Sequence, residues 1–309
     1  MRMNPVYRRE MMVSARSFRL ALVMLVFNGI LAMVALLNMY STLARVRVTA
    51  EIQYSSFLQL YLFVATLEFV MVIFIMPALT AGSISGERER RTLELMLTTQ
   101  LTPAQIVRGK LMSSCSTMAL LIISSFPVLA MVFIYGGVTV GDMALLLLCY
   151  MISALFVGSL GICCSAIFKR STLSTVAAYL ATALITIGTY GINWLSGYVG
   201  RTATATYAGT AAVAYAGGVD AGMFAGSGRL GVLLLVNPIT TFLSALPRVS
   251  GQVATFSGME SLRTREATVL LPSLPDSWVG CSMALQAGFA LLCIFVAVRV
   301  LDPERKQIR

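Results

Sequence analysis

Residues 82–106 read GSISGERERRTLELMLTTQLTPAQI, a charged island between two apolar runs. Six ionisable side chains, Glu87, Arg88, Glu89, Arg90, Arg91 and Glu94, fall within eight residues, while the flanks 56–80 and 111–135 are almost uncharged. Hydrocarbon cannot hold such a block, so the chain leaves a bilayer here and re-enters at once. Gly82 and Gly86 loosen the exit from the preceding helix. From Glu87 to Thr98 the residues predict one helix, with Leu93, Met96 and Leu97 on a single apolar face. Glu87 and Arg91 stand four residues apart, as do Arg90 and Glu94, and both pairs are expected to meet on the helix surface. In Thr102-Pro103-Ala104-Gln105 a second helix starts: Thr102 and Gln105 form a capping box, and proline suits the first helical position.

Working outward, composition places the island in a polytopic membrane protein. The 309 residues have a mean hydropathy of +0.83; 58% are hydrophobic and only 12% charged. A soluble domain carries roughly twice that charge. Six spans are expected, at 20–40, 56–80, 108–135, 143–168, 172–194 and 278–300, each near the ~20 residues that cross a bilayer. No cleavable signal is expected, because residues 1–19 hold five Arg and one Glu and the apolar run behind them is too long for a signal core.

Charge sets the orientation. Of the 23 Lys and Arg, 16 fall before the first span, in the island, at 169–170 and in the C-terminal tail, all on one side of this topology. The positive-inside rule then puts both termini in the cytosol. The net charge of +10 is a topological charge, and no nucleic-acid partner is needed to explain it. Residues 1–19 are expected to form an interfacial helix, with Arg8, Arg9, Arg16 and Arg19 on one arc and Tyr7, Met11 and Phe18 on another. It serves as a positive anchor on the lipid bilayer, as a partner contact, or as both.

Residues 195–277 read as an extracytosolic loop. Its apolar stretch 230–247 is interrupted by Pro238 and closed by Pro247, which favours short interfacial or re-entrant helices over a seventh span. Gly158, Ser159 and Gly161 in the fourth span and Gly188 and Gly191 in the fifth permit close helix approach. One acid lies deep: Glu68 is midway along 56–80, about 18 Å from either end at 1.5 Å per residue. It should face the bundle or a wet cavity, either protonated or bonded to a Ser, Thr or Tyr of a neighbouring helix, as a structural group or as part of a substrate path.

Several chemistries are excluded. The chain has no His, so it has no histidine relay or histidine metal site. Its Gly109-Lys110 pair lacks the rest of a P-loop, so an ATP site would lie on another polypeptide. Cys115, Cys149, Cys163, Cys164, Cys281 and Cys293 lie in or beside spans and read as small buried residues. No catalytic residue, bound cofactor or metal is expected.

The island, as Gly-x-Ile-x-Gly-Glu-Arg-Glu-x-x-Thr-Leu-Glu-Leu-x-Leu-Thr-x-x-Leu-Thr-Pro, resembles the loop after the second span of type-2 ABC-transporter permeases. Asn4-Pro-Val-Tyr-Arg-Arg-Glu10 and Asn237-Pro-Ile-Thr-Thr-Phe-Leu-Ser-Ala245 also resemble segments of that family. The resemblance implies one all-α permease domain over 1–309. It comprises a six-helix transmembrane bundle, an N-terminal amphipathic connecting helix (1–19), a cytosolic coupling elbow (81–107) and the extracytosolic 195–277. It implies that Gly86, Glu87, Glu89, Arg90, Arg91, Thr92, Leu93, Glu94 and Leu97 meet a P-loop ABC ATPase subunit, and that Tyr7, Arg8, Arg9 and Arg16 belong to the connecting helix. ATP and Mg would sit on that ATPase, a second permease copy or paralogue would complete the assembly in the cytoplasmic membrane, and transport would be export. An ion-coupled secondary transporter or channel is the alternative; only Glu68 favours it, because such carriers show several intramembrane charges.

Overall fold

The computed structural model describes residues 5–49, 54–97, 102–134, 140–192, 195, 231–250 and 278–302. Every regular element among them is a helix. In chain order they are α1 (Pro5–Ala15), α2 (Phe18–Thr49), α3 (Tyr54–Thr80), α4 (Ser85–Glu89), α5 (Thr92–Leu97), α6 (Pro103–Ile134), α7 (Val140–Ile167), α8 (Ser171–Ala183), α9 (Pro238–Ser250) and α10 (Trp278–Leu301). Six helical runs are long and apolar enough to cross a membrane: Leu20–Ser41, Tyr61–Glu89, Pro103–Pro127, Val140–Ile167, Ser171–Ile192 and Val279–Leu301. These are the six spans that hydropathy predicts. The second run, at 29 residues, exceeds the ~20 that cross, so its last, charged turns stand beyond the bilayer.

The bundle is built around α7, which is apolar all round. It buries 67% of its most apolar stretch, against 11% for the first span, and it packs on α3, α6, α8, α9 and α10. Small residues set the closest approach. A Cβ added to Gly161 would come 2.0 Å from Thr80 Oγ1, and one added to Gly158 would come 2.5 Å from Met76 Cε. The two helices therefore touch almost backbone to backbone, as small residues allow within a membrane.

The proline-interrupted stretch is broken at Pro238, as its sequence reading has it, but is not closed by Pro247. Gly231–Val236 form a 3-10 turn, and Pro238 opens α9, which runs past Pro247 to Ser250. Proline at the first helical position gives up only an N–H that has no partner anyway. Asn237 Oδ1 caps the start by accepting from Ile239 N at 2.9 Å. This helix reaches the centre of the bundle: Phe242 stacks on Phe69 of α3, ring centroids 4.2 Å apart, and lies 6.1 Å from Tyr150 of α7. The remainder of 195–277 lies mostly outside the described residues.

The N-terminal segment is shorter than the expected 1–19 helix. α1 ends at Ala15, and Ser17 starts a new helix, its Oγ accepting from Leu20 N at 3.4 Å. Phe18 therefore belongs to α2 and is exposed. The α1 segment packs along α6, with Val6 buried and Tyr7 OH 3.0 Å from Ser116 Oγ.

Candidate functional site

The elbow is two short helices with a sharp break between them. α4 stops at Glu89 and α5 begins at Thr92. Arg91 has φ 57, a left-handed conformation that few non-glycine residues adopt. Thr92 Oγ1 donates to Glu87 O at 3.1 Å and closes the turn. The expected continuous helix from Glu87 to Thr98 is thus interrupted, and with it the surface pairing of Glu87 with Arg91. Side-chain partners outside the segment outweigh the local i, i+4 attraction, which is worth only about 0.2–0.5 kcal/mol. The capping box forms as the spacing predicts: Gln105 N donates to Thr102 Oγ1 at 3.3 Å, and Thr102 N donates to Gln105 Oε1 at 3.1 Å.

The partner that takes Glu87 is Lys110 of α6, at 2.8 Å, and the same ammonium lies 3.4 Å from Glu10 of α1. The Lys110 side chain is only 5% exposed. One buried cation thus joins the N-terminal helix, the elbow and the third span. Arg88 turns the other way. Its guanidinium donates to Phe168 O at 3.2 Å and Ala166 O at 3.0 Å, satisfying carbonyls at the C-terminal end of α7, where a helix dipole favours positive charge.

Glu89 accepts from Ser171 N at 2.8 Å and Ser171 Oγ at 2.7 Å, so it closes the N-terminus of α8. Those two bonds, with Arg170 nearby, hold its carboxyl below the usual range. Further in, Ser165 Oγ accepts from Ile84 N and Ser85 N, each at 2.9 Å, and Ser174 Oγ donates to Ala81 O at 2.6 Å. The elbow is therefore stitched to both ends of the α7–α8 connection. Leu93 turns inward beside Ile84, Val107, Leu111, Ile162, Ala297 and Leu301. Arg90, Arg91 and Thr92 stay exposed, and Gly86 is half-buried. The side chains of Glu94 and Leu97 lie outside the described residues. Arg8 and Arg9 on α1 and Arg16 just after it are exposed, and Tyr7 faces α6.

Sequence reasoning missed Lys110, Glu10, Arg88, Ser165 and Ser171 as members of this site. Their pairings join residues 78 to 100 positions apart, or 23 for Lys110 with Glu87, and no local spacing reveals them. Lys110 appeared only as a charge near a membrane boundary.

Deep in the bundle Glu68 is fully buried on α3 and touches Ser125 of α6, the hydroxyl partner that its position predicts. Ser125 Oγ also lies 2.7 Å from Ile122 O. Beside this pair, Asn28 of α2 donates to Ser124 Oγ at 2.8 Å, so three spans meet through polar groups at this depth.

A second buried polar cluster joins α8, α9 and α10. Residues Leu184–Gly188 of the fifth span form a π-turn, which breaks the regular i→i−4 ladder and leaves a carbonyl for another donor. Asn237 supplies it: Nδ2 donates to Thr186 O at 2.9 Å and to Thr189 Oγ1 at 2.7 Å. Gln286 Nε2 donates to Thr241 Oγ1 at 2.6 Å, and Ser282 Oγ, which contacts Thr241, donates to Leu235 O at 2.6 Å. Among the described residues no cluster of His, Cys, Asp and Glu is arranged to hold a metal.

Comparison with curated proteins finds none that matches this chain. The family described as ABC-2 family transporter protein matches residues 36–299, a segment that holds four complete spans and nearly all of the last one, the elbow and the Asn237 cluster, and so the chain belongs to the ABC-2 transporter family.

Proposed function

We propose that this chain is the permease subunit of an ATP-driven exporter, with both termini and the elbow in the cytosol, and that it works as one of a pair of permeases with two separate P-loop ATPase subunits. The observation that carries the reading is the stitched elbow. A loop meant only to connect two spans needs no internal bonds to other helices. This one grips α6 through Lys110, α7 through Arg88 and Ser165, and α8 through Glu89 and Ser174. A push on the exposed Arg90-Arg91-Thr92 turn is thereby delivered to three spans together. Closure of an ATP-bound dimer beneath it would tilt those spans between inward- and outward-facing states.

The test is co-reconstitution in vesicles with an ABC ATPase subunit. ATP hydrolysis by the subunit should rise when the permease is present, and Ser165→Ala combined with Glu89→Gln should leave the ATPase bound while cutting that stimulation severalfold. Accumulation driven by an ion gradient with no nucleotide would instead establish a secondary carrier.

A further inference from the structure

One face of α3 holds two buried oxygens with nothing to bond. Ser125 touches Glu68 Oε1, but Glu68 Oε2 has no hydrogen-bond partner among the described residues, and the side chain is fully buried. Tyr61 is fully buried as well, and its hydroxyl also lacks a partner there. Inside a membrane such groups are costly, and water is their ordinary partner where several polar atoms line a site. Seven residues set Tyr61 and Glu68 two turns apart on the same face, about 10 Å along the axis. Only the small Ala65 stands between them on that face.

The neighbouring α7 completes a lane. Gly158 meets Met76 and Gly161 meets Thr80; the same register sets Tyr150 level with Glu68 and Asp142 level with Tyr61. Tyr150 leans back to donate to Ala65 O at 2.8 Å, as helix side chains lean toward their own N-terminus. The Glu68 carboxyl leans the same way, toward Tyr61. Asp142 lies in the first turn of α7, where that span begins, and is within electrostatic reach of Tyr61. Among the described residues, the titratable groups in such reach of Glu68 are Tyr61 and Tyr150, with Cys149 beside the latter. Neutral groups face it from the other helices, Ser125 and Ser124 of α6 and Asn28 of α2. In the opposite direction the lane is shut: one and two turns beyond Glu68 the face carries Val72 and Met76, both fully buried.

We propose that Glu68 is a proton-exchange site reached from the membrane face at which α7 begins, along buried water that links it to Tyr61 and Asp142. Glu68 gives its proton to a water and is left as a carboxylate. The Tyr61 oxygen takes a proton from that water as its hydroxyl releases its own, so the phenol is unchanged. The Asp142 carboxylate receives the proton at the mouth and hands it to bulk water. Loading runs the same steps in reverse. The site goes beyond the permease reading and does not depend on it.

The experiment uses the full chain in sealed phosphatidylcholine vesicles. Because α10 runs alongside α7 in the same direction, a C-terminal tag protected from external protease marks vesicles with the start of α7 outward. The probe is N,N′-dicyclohexylcarbodiimide, which couples to protonated carboxyls in apolar surroundings, and the label on Glu68 is read by mass spectrometry; Glu68→Gln must remove it. With the inner pH clamped, raising the outer pH should cut labelling severalfold. With the outer pH clamped, raising the inner pH should leave it unchanged. Tyr61→Phe deletes a hydroxyl that bonds nothing in the described chain, so it should run as wild type in size exclusion and lose most of the outer-pH response. Should that variant aggregate, Ala65→Val, which narrows the lane between the two groups, makes the same comparison. Labelling that is absent, ignores pH or follows the inner pH would overturn the proposal. A full outer-pH response in well-folded Tyr61→Phe, or in its substitute, would overturn it too.

Discussion

Replacing Lys110 by Met tests whether the three-way junction holds the elbow in place. Methionine fills nearly the same volume, so packing is preserved and the charge is lost. Lys110 stands 2.8 Å from Glu87 and 3.4 Å from Glu10. At an effective dielectric near 20, a unit pair at 2.8 Å attracts by roughly 6 kcal/mol, and desolvating the ammonium takes back several of these. Breaking a buried pair from one side costs about 3–5 kcal/mol because the other charge is stranded. Here the stranded acids are 19% and 33% exposed and can turn toward water, so the expected loss is about 2–3 kcal/mol. At ~2–4 °C per kcal/mol for a chain of this size, detergent-solubilised Lys110→Met should melt about 5–10 °C below wild type. The triple variant with Glu87→Gln and Glu10→Gln should regain most of this, because no charge is left alone. Fluorescence-detected size exclusion after a heating series reads both numbers. A wild-type melting temperature in Lys110→Met, or a triple variant no better than the single, would refute the electrostatic account of the junction.

Three further outcomes follow from the packing. Gly161→Ala should cost far more yield in membranes than Gly158→Ala, because the new methyl at 161 meets the branched Thr80 at 2.0 Å and backbone behind it, whereas at 158 it meets the flexible end of Met76; equal yields would contradict the close approach of α3 and α7. Asn237→Leu should lower thermal stability by about 1–3 kcal/mol, the cost of leaving a buried carbonyl unsatisfied, with Asn237→Asp no better because a carboxylate lacks the donor that Thr186 O needs; an unchanged melting temperature in Asn237→Leu would contradict the assignment. Glu68→Gln should express and function near wild type, since its amide keeps the shape and an oxygen that accepts from Ser125, while Glu68→Leu should lose yield by stranding Ser125; poor transport in a well-folded Glu68→Gln would place the group on the substrate path.

Much of the fold was legible because a bilayer imposes a simple code. Runs of about 20 apolar residues mark spans, and all six emerge where hydropathy puts them, four within three residues and the second and third within nine. The capping box at Thr102–Gln105 was legible too, because both partners lie within one turn. The elbow's interior was not. Helix propensity joined Glu87 to Thr98 into one element, but Lys110 and Ser171 are stronger partners than Arg91, and they arrive only when distant spans assemble. Pro238 was legible as the break in its apolar stretch; the cap that Asn237 supplies to the helix after it was not. Glu68 was the easy case, since an acid at mid-membrane needs a polar partner inside the bundle.

The π-turn in the fifth span carries a consequence for movement. Such a turn holds one residue more than the α-helical turn it replaces, so the C-terminal half of the span is wound one step ahead of the N-terminal half, about 100° of rotation. Asn237 clasps Thr186 O and thereby fixes where that surplus residue sits. If the clasp opens, the surplus can creep along the helix like a ruck in a carpet. Each step would swing one more side chain from the lipid to the bundle without breaking the span. The fifth helix is thus a screw whose slack is parked at one address, and α9, standing over the bundle centre, holds the pin.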